Sequence, residues 1–253
     1  MIDTNAYLSR WPFRRLAGDE PAEFVARMRK GGVTQAWVGS FDGLLHRDVG
    51  GVNARLAAEC KEYGGGLLVP FGTVNPKLPD WQEDLRRCHE VYRMPGIRLH
   101  PNYHGYTLRD GEFAEVLRRA TDADLLVQLA VQMEDERTQY PLMRIPRVNL
   151  APLADAVFGT PGVRMVVLNA ARDPHLKQIV QAGNVAVDLA MIEGVGGVGA
   201  LASEVSAQRV VFGSYFPYFH FQSAALKLRE AGFKTADERA ITEDNARRFL
   251  NRD

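Results

Sequence analysis

Residues 96–101 read Gly96-Ile97-Arg98-Leu99-His100-Pro101. Ile97 and Leu99 alternate with Arg98 and His100, which is the two-residue period of a strand, and Pro101 ends the run. Alternate side chains share a face, so Arg98 and His100 must point the same way. An arginine turned into an apolar helix layer would be a buried charge costing several kcal/mol unless paired. The reading therefore puts Arg98 and His100 on the polar side of the strand, with Ile97 and Leu99 packed under helices. A short strand covered by helices is the repeating unit of a parallel α/β fold.

Outward from this segment the same alternation recurs along nearly the whole chain of 253 residues. The candidate strands are Ile2–Leu8, Val33–Ser40, Leu67–Asn75, Gly96–His100, Leu125–Gln132, Val163–Ala170, Val185–Ala190 and Val210–Phe216. Helix-period stretches separate them: Trp81, Leu85, Cys88 and Tyr92 form one stripe, and Phe113, Val116 and Leu117 another. Pro21, Pro79 and Pro152 stand where helices begin, and Gly31, Gly32, Gly64 and Gly232 where they end. Eight strands, each followed by a helix, fit a closed barrel or an open doubly wound sheet. The even spacing, with no linker, repeat or low-complexity segment, favours a single (β/α)8 TIM-type barrel over residues 1–253.

Composition narrows the function. Thirty-one Lys and Arg balance 31 Asp and Glu, so no long-range attraction to nucleic acid is expected. No run approaches the length of a membrane span, and the N-terminus lacks the order of a secretory signal, so a cytoplasmic location is expected. Two cysteines, Cys60 and Cys88, make neither a disulfide framework nor a cysteine metal cluster. The expected partner is a small molecule, and a homo-oligomer is compatible with this composition.

In such barrels the chemistry sits at the carboxyl ends of the strands. That rule selects Asn5, Tyr7, Ser40, Thr73, Asn75, Arg98, His100, Asn102, His104, Gln128, Asn169, Asp188 and Tyr215. Arg98 beside His100 suits carboxylate binding with proton transfer. The bland alternative pairs Arg98 with a neighbouring carboxylate and lets His100 cap a loop. His46, in a Gly-rich loop after the second strand, is a less specific candidate, and His89, His175 and His220 read as surface or packing residues. The stretch from Gln132 to Val148 reads as a lid or as a solvated charge run. Gly194–Gly199 matches G-x-G-x-x-G, but no acidic residue lies between Glu204 and Glu230, so a flexible loop is the better reading.

Three segments together carry a family resemblance: Ile2-Asp3-Thr4-Asn5-Ala6-Tyr7-Leu8, the 96–101 strand, and Val211-Phe212-Gly213-Ser214-Tyr215-Phe216-Pro217. With Thr242-Glu243-Asp244-Asn245-Ala246-Arg247-Arg248-Phe249-Leu250 at the end, the chain resembles the amidohydrolase-related family of metal-dependent hydrolases and decarboxylases on a (β/α)8 barrel. The resemblance implies two metal-binding histidines on the first strand, where this chain has Asn5 and Tyr7. It implies an aspartate on the last strand, where this chain has Tyr215. The fifth and sixth strands also lack the family's histidines, leaving Gln128 or Ala130 and Asn169 or Ala170 nearby. Amides and a neutral phenol are poor ligands for a divalent transition ion, so no metal and no other cofactor is expected.

Two functions follow as expectations. In the first, a metal-independent hydrolase or lyase acts on a small polar, anionic substrate such as a carboxylate, lactone or cyclic amide. His100, Tyr7 and Tyr215 would be catalytic, and Asn5, Arg98, His104, Gln128 and Asn169 would bind substrate. In the second, an inactive protein of the same fold binds a small ligand in the barrel mouth. A lesser alternative is a noncanonical metal site using His100, His104 and Asp188.

Overall fold

In the computed structural model, which describes residues 1–250, eight parallel strands follow one another in chain order. They are β1 (Ile2–Leu8), β2 (Gln35–Ser40), β3 (Leu68–Thr73), β4 (Gly96–Leu99), β5 (Leu126–Ala130), β6 (Arg164–Leu168), β7 (Asn184–Asp188) and β8 (Val210–Val211). The helices are α1 (Pro21–Lys30), α2 (Val49–Tyr63), α3 (Trp81–Glu90), α4 (Pro101–His104), α5 (Gly111–Asp122), α6 (Leu153–Phe158), α7 (Leu176–Ala182), α8 (Gly197–Val205), α9 (Phe221–Glu230), α10 (Thr235–Arg239) and α11 (Asn245–Leu250). The sheet closes on itself beyond the short β8. The amide of Thr4 donates to the Phe212 carbonyl at 2.9 Å, that of Tyr215 to Asn5 at 2.7 Å, and that of Tyr7 to Phe216 at 3.0 Å. The result is a single eight-stranded parallel β/α barrel, as the alternation predicts.

Several strands end earlier than the apolar runs suggest. At their carboxyl ends the chain turns away from its neighbours, and Asn169 and Tyr215 adopt left-handed φ values of 58° and 57°. Hydrophobicity continues past each ladder because these turns are still buried. The helix stripes pack largely as expected: Trp81, Leu85 and Cys88 of α3 and Phe113, Val116 and Leu117 of α5 are buried, while Tyr92, expected to extend the first stripe, lies beyond the end of α3 and is half-buried. Pro21 opens α1, while Pro79 lies just ahead of α3 and Pro152 is the cap of α6.

The strands' two faces sort the core. Outward residues such as Val38, Ile97, Leu99, Val127 and Val187 join the helix layer in one apolar cluster. Inward residues form a floor of Ile2, Trp37, Phe71, Leu126, Val166 and Val211, sealed from below by Ala246 and Phe249 of α11. Asn245 anchors that helix by donating to the carbonyls of Ala207 at 2.8 Å and Val210 at 2.7 Å. Arg164 meets its other end, donating to the Phe249 carbonyl at 2.9 Å. This explains an Asn-Ala pair there: the amide bonds the barrel and the small methyl lets the helix approach it.

Candidate functional site

Above the floor the lumen turns polar, with Arg98 of β4 at its centre. Arg98 is fully buried and its guanidinium is engaged on every side. It donates to Gln128 Oε1 at 2.8 Å, to the Ala6 carbonyl at 2.7 Å, to the Trp37 carbonyl at 3.0 Å and, at 3.5 Å, to the Thr4 carbonyl. Its charge also lies 4.4 Å from the Tyr7 ring centroid, a cation–π contact. Gly39 makes room for it, since a Cβ there would stand 2.9 Å from Nη1. Gln128 completes the layer by donating to the Thr4 carbonyl at 2.8 Å.

Across the barrel, Asn5 donates to Asn169 Oδ1 at 2.8 Å and to Asp188 Oδ2 at 2.6 Å. Asp188 also accepts the Asn169 amide at 2.8 Å. Behind β1, Asp3 holds the closing seam by accepting the amides of Asn5 at 3.1 Å and Ser214 at 3.0 Å and the Ser214 hydroxyl. Burial raises the Asp3 carboxyl to about 7 and that of Asp188 to about 6, against the hydrogen bonds that favour ionisation. A carboxyl with a raised pKa stabilises the fold fully below its unfolded value and loses that stabilisation as pH rises through the folded one. On account of these two groups, stability should fall between about pH 4 and pH 7. Asp3→Asn keeps the acceptor for both amides and should flatten that decline. Urea midpoints across this range check it, and parallel curves for the two proteins would contradict the assignment.

The third layer closes the lumen from above. Tyr7 stacks on Phe41 with centroids 4.6 Å apart, and Tyr215 meets Tyr7 edge-on at 5.6 Å. Trp11, Met133, Ala190 and Met191 join the same apolar cluster. The Tyr215 hydroxyl donates to the Met133 carbonyl at 2.5 Å. The Tyr7 hydroxyl lies 3.0 Å from His100 Nε2, and the ring of His104 is 5.8 Å from that of His100. Burial, then His104 and Arg98, push the His100 pKa well below the usual imidazole range. Burial pushes His104 down to about 4 although it bonds the Gly43 carbonyl at 2.9 Å. Both rings are therefore neutral at pH 7, and both phenols stay protonated because burial raises them.

All eight candidate residues are thus in or beside the barrel interior: Asn5, Tyr7, Arg98, His100, Gln128, Asn169 and Tyr215 converge in the lumen, and His104 lies beside His100. The open polar pocket expected of them does not form. The first seven have no exposed surface, and His104 is 9% exposed. Arg98 as an anion clamp needs correction, because four protein acceptors already surround its donors. The trio of His100, His104 and Asp188 is also corrected, since Asp188 is engaged across the barrel with Asn5 and Asn169. Among the described residues, no group of three or more His, Cys, Asp or Glu is placed to hold a metal. Asn5, Tyr7 and Tyr215, the residues that the resemblance aligns with the family's metal ligands, are an amide and two phenols, a donor set that fits a divalent transition ion poorly.

The sequence reading missed the cover itself, although aromatic density in Trp11-Pro12-Phe13 and Tyr215-Phe216-Pro217-Tyr218-Phe219 signals it. The stretch after β5 contributes too: Met133 and Glu134 are buried, and Tyr140 stacks on Phe13 at 6.0 Å. Gly194 and Gly196 have φ of 87° and 68°, which accounts for glycines in the turn before α8. One space that reaches solvent at this face is a cleft of about 570 Å³ lined by Gln132, Asp135, Glu136, Arg137, Ala171, Arg172, Met191, Glu193 and Phe219.

A family model described as "Amidohydrolase" matches residues 6–252. No curated protein matches the chain. Among solved structures, 5-carboxyvanillate decarboxylase from Sphingomonas paucimobilis superposes with a TM-score of 0.76 at 12% identity, covering 98% of both chains. The 2,6-dihydroxybenzoate decarboxylase from Rhizobium gives 0.73 at 12% identity, again over 98% of both. A 5-carboxyvanillate decarboxylase from Novosphingobium aromaticivorans, solved with manganese and a nitrobenzoic acid ligand, gives 0.75 at 14% identity over 98% of this chain and 96% of the other. At these identities the likeness is one of fold.

Proposed function

The chain belongs to the amidohydrolase family, and on that scaffold we propose a metal-independent protein that binds a small polar, anionic molecule at the carboxyl face of its barrel. The observation that carries this reading is the filled axis: Arg98, Tyr7 and Tyr215 occupy the lumen with no exposed surface. A ligand approaching this face meets the cleft above the cover, where Arg137 is paired with Asp135 and exposed Arg172 has no ion pair among the described residues, with Glu136 and Glu193 also on the lining. A cleft of about 570 Å³ suits a single small molecule.

Two measurements test the reading. Elemental analysis of untagged protein should find no stoichiometric zinc or manganese, and chelation should leave the melting temperature unchanged. One equivalent of metal, with melting lowered by chelator, would overturn the metal-independent part. A panel of small carboxylates should shift melting saturably, and Arg172→Ala should weaken that binding by about 1.5–3 kcal/mol, the range for a charge-assisted hydrogen bond. An unchanged response in that variant would overturn the cleft assignment.

One observation favours the hydrolase or lyase reading instead. Neutral His100 holds the Tyr7 hydroxyl at 3.0 Å, and its Nδ1 is buried without a partner. A base beside a phenol is equipped for proton transfer once a substrate reaches it. That reading requires the cover to open, and it predicts metal-free turnover of a carboxylate or lactone that is abolished in His100→Ala.

A further inference from the structure

A second crevice opens beside the barrel mouth, between the segment following β4 and the end of the segment following β5. It measures about 410 Å³ and lies outside the lumen layers and outside the cleft above the cover. Its walls are apolar: Tyr106, Leu108 and Val148 are 4%, 5% and 6% exposed, and three prolines, Pro101, Pro146 and Pro152, stiffen the rim. The walls are held in place before any ligand arrives. Asn102 Nδ2 donates to the Pro146 carbonyl at 3.0 Å across the base, and the Val148 amide donates to Val131 at 2.9 Å. The Tyr106 ring is backed by Phe113 at 6.3 Å.

The two charged residues that line this crevice, Arg109 and Arg147, have one sign, and Arg147 is ion-paired behind the wall with Asp173. Arg109 stands on one wall, exposed and without an ion pair among the described residues. Arg147 stands on the other, oriented by bonds to the Ala170 carbonyl at 2.8 Å and Asp173 at 3.1 Å. No acidic residue is among those lining the space. An apolar slot with the unpaired guanidinium of Arg109 on its rim, and Arg147 paired with Asp173 opposite, attracts an apolar body that carries an anionic group.

We infer that this crevice is a binding site for a small molecule with one ring-sized apolar body and one anionic group, carboxylate or phosphate. The ring lies against Tyr106, Leu108 and Val148, and the anion faces Arg109 with Arg147 behind it. The site is independent of the ligand assigned to the cleft above the cover, because the two share no lining residue.

The test is a titration of isotope-labelled protein with benzoate, phenyl phosphate, benzyl alcohol and benzylamine, followed by amide chemical shifts. At least one of the two anions should perturb Leu108 and Val148 saturably at millimolar concentration, and which one binds more tightly identifies the anionic group. Benzyl alcohol and benzylamine should bind far more weakly. Arg109→Gln should weaken the anion by about ten-fold or more. Asn149→Trp, which fills the crevice from its exposed rim at the cost of the bond that Asn149 Oδ1 accepts from the Ala151 amide at 3.0 Å, should abolish those shifts while the rest of the amide spectrum stays that of the folded protein. Arg172→Ala should leave them intact, which separates this site from the cleft. Saturation by neither anion, equal binding of benzyl alcohol, or shifts that survive Asn149→Trp would each overturn the inference.

Discussion

Arg98→Ala is expected to destabilise the protein by about 3–5 kcal/mol, the combined cost of leaving several buried neutral acceptors without their donor. The loss is not of one contact. Without the guanidinium, the carbonyls of Thr4, Ala6 and Trp37 and the Gln128 side chain lose a donor deep in the barrel, away from water. Each buried acceptor left without a partner costs about 1–3 kcal/mol. Arg98→Lys should recover only part, because one ammonium cannot follow the planar fork that reaches β1, β2 and β5 together. Equilibrium denaturation with urea checks the series. A loss below about 1 kcal/mol for the alanine variant would show that the network relaxes, and would remove the reason for treating the guanidinium as the barrel's internal tie.

Tyr215→Ala is expected to cost a comparable 3–5 kcal/mol and also to open the lumen. Its ring contacts Tyr7 at 5.6 Å, Tyr218 at 5.0 Å and Phe219 at 5.4 Å, and its hydroxyl holds the Met133 carbonyl. Truncation removes all of these at once and leaves a cavity above the polar layer. Two readouts distinguish unfolding from opening. The urea midpoint reports the stability loss, and the exchange rate of the His100 ring proton reports solvent entry. A stable variant with an unchanged exchange rate would mean that neighbouring rings collapse into the space and that Tyr215 is not what shuts the mouth.

The strand alternation, the helix stripes and the inward direction of Arg98 and His100 were all legible in the sequence. Period-two and period-3.6 patterns report which side chains face which layer, and those are local properties. Whether a polar residue at a strand's end meets water is not local. Asn5, Gln128 and Asn169 look like a hydrogen-bonding pocket because their chemistry is polar, yet Asn5 and Asn169 bond each other, Asp188 and a backbone carbonyl, and Gln128 bonds Arg98 and the Thr4 carbonyl. Tyr7 and Tyr215 are amphipathic, so the same residues serve a wet pocket or a dry cover. Which of these forms depends on Phe41, Trp11 and Met133, which arrive from three separate loops. Gly39 shows the same limit: its lack of a side chain has meaning only beside a guanidinium from a strand 59 positions away.

The seam between β1 and the segment after β8 has a consequence for how the chain reaches its final state. The bonds that close the cylinder join Thr4 to Phe212 and Tyr7 to Phe216, so they link the first strand to the last. Pairings of such sequence separation form slowly, since the whole intervening chain must be ordered first. During synthesis on the ribosome, β1 keeps one edge unpaired until residues 212–216 have been made. An unpaired, apolar strand edge is a template for association with other chains. Fragments that stop before residue 212 should therefore be prone to aggregation, however well their own strands and helices form. The closed barrel should bury that edge in its last folding step.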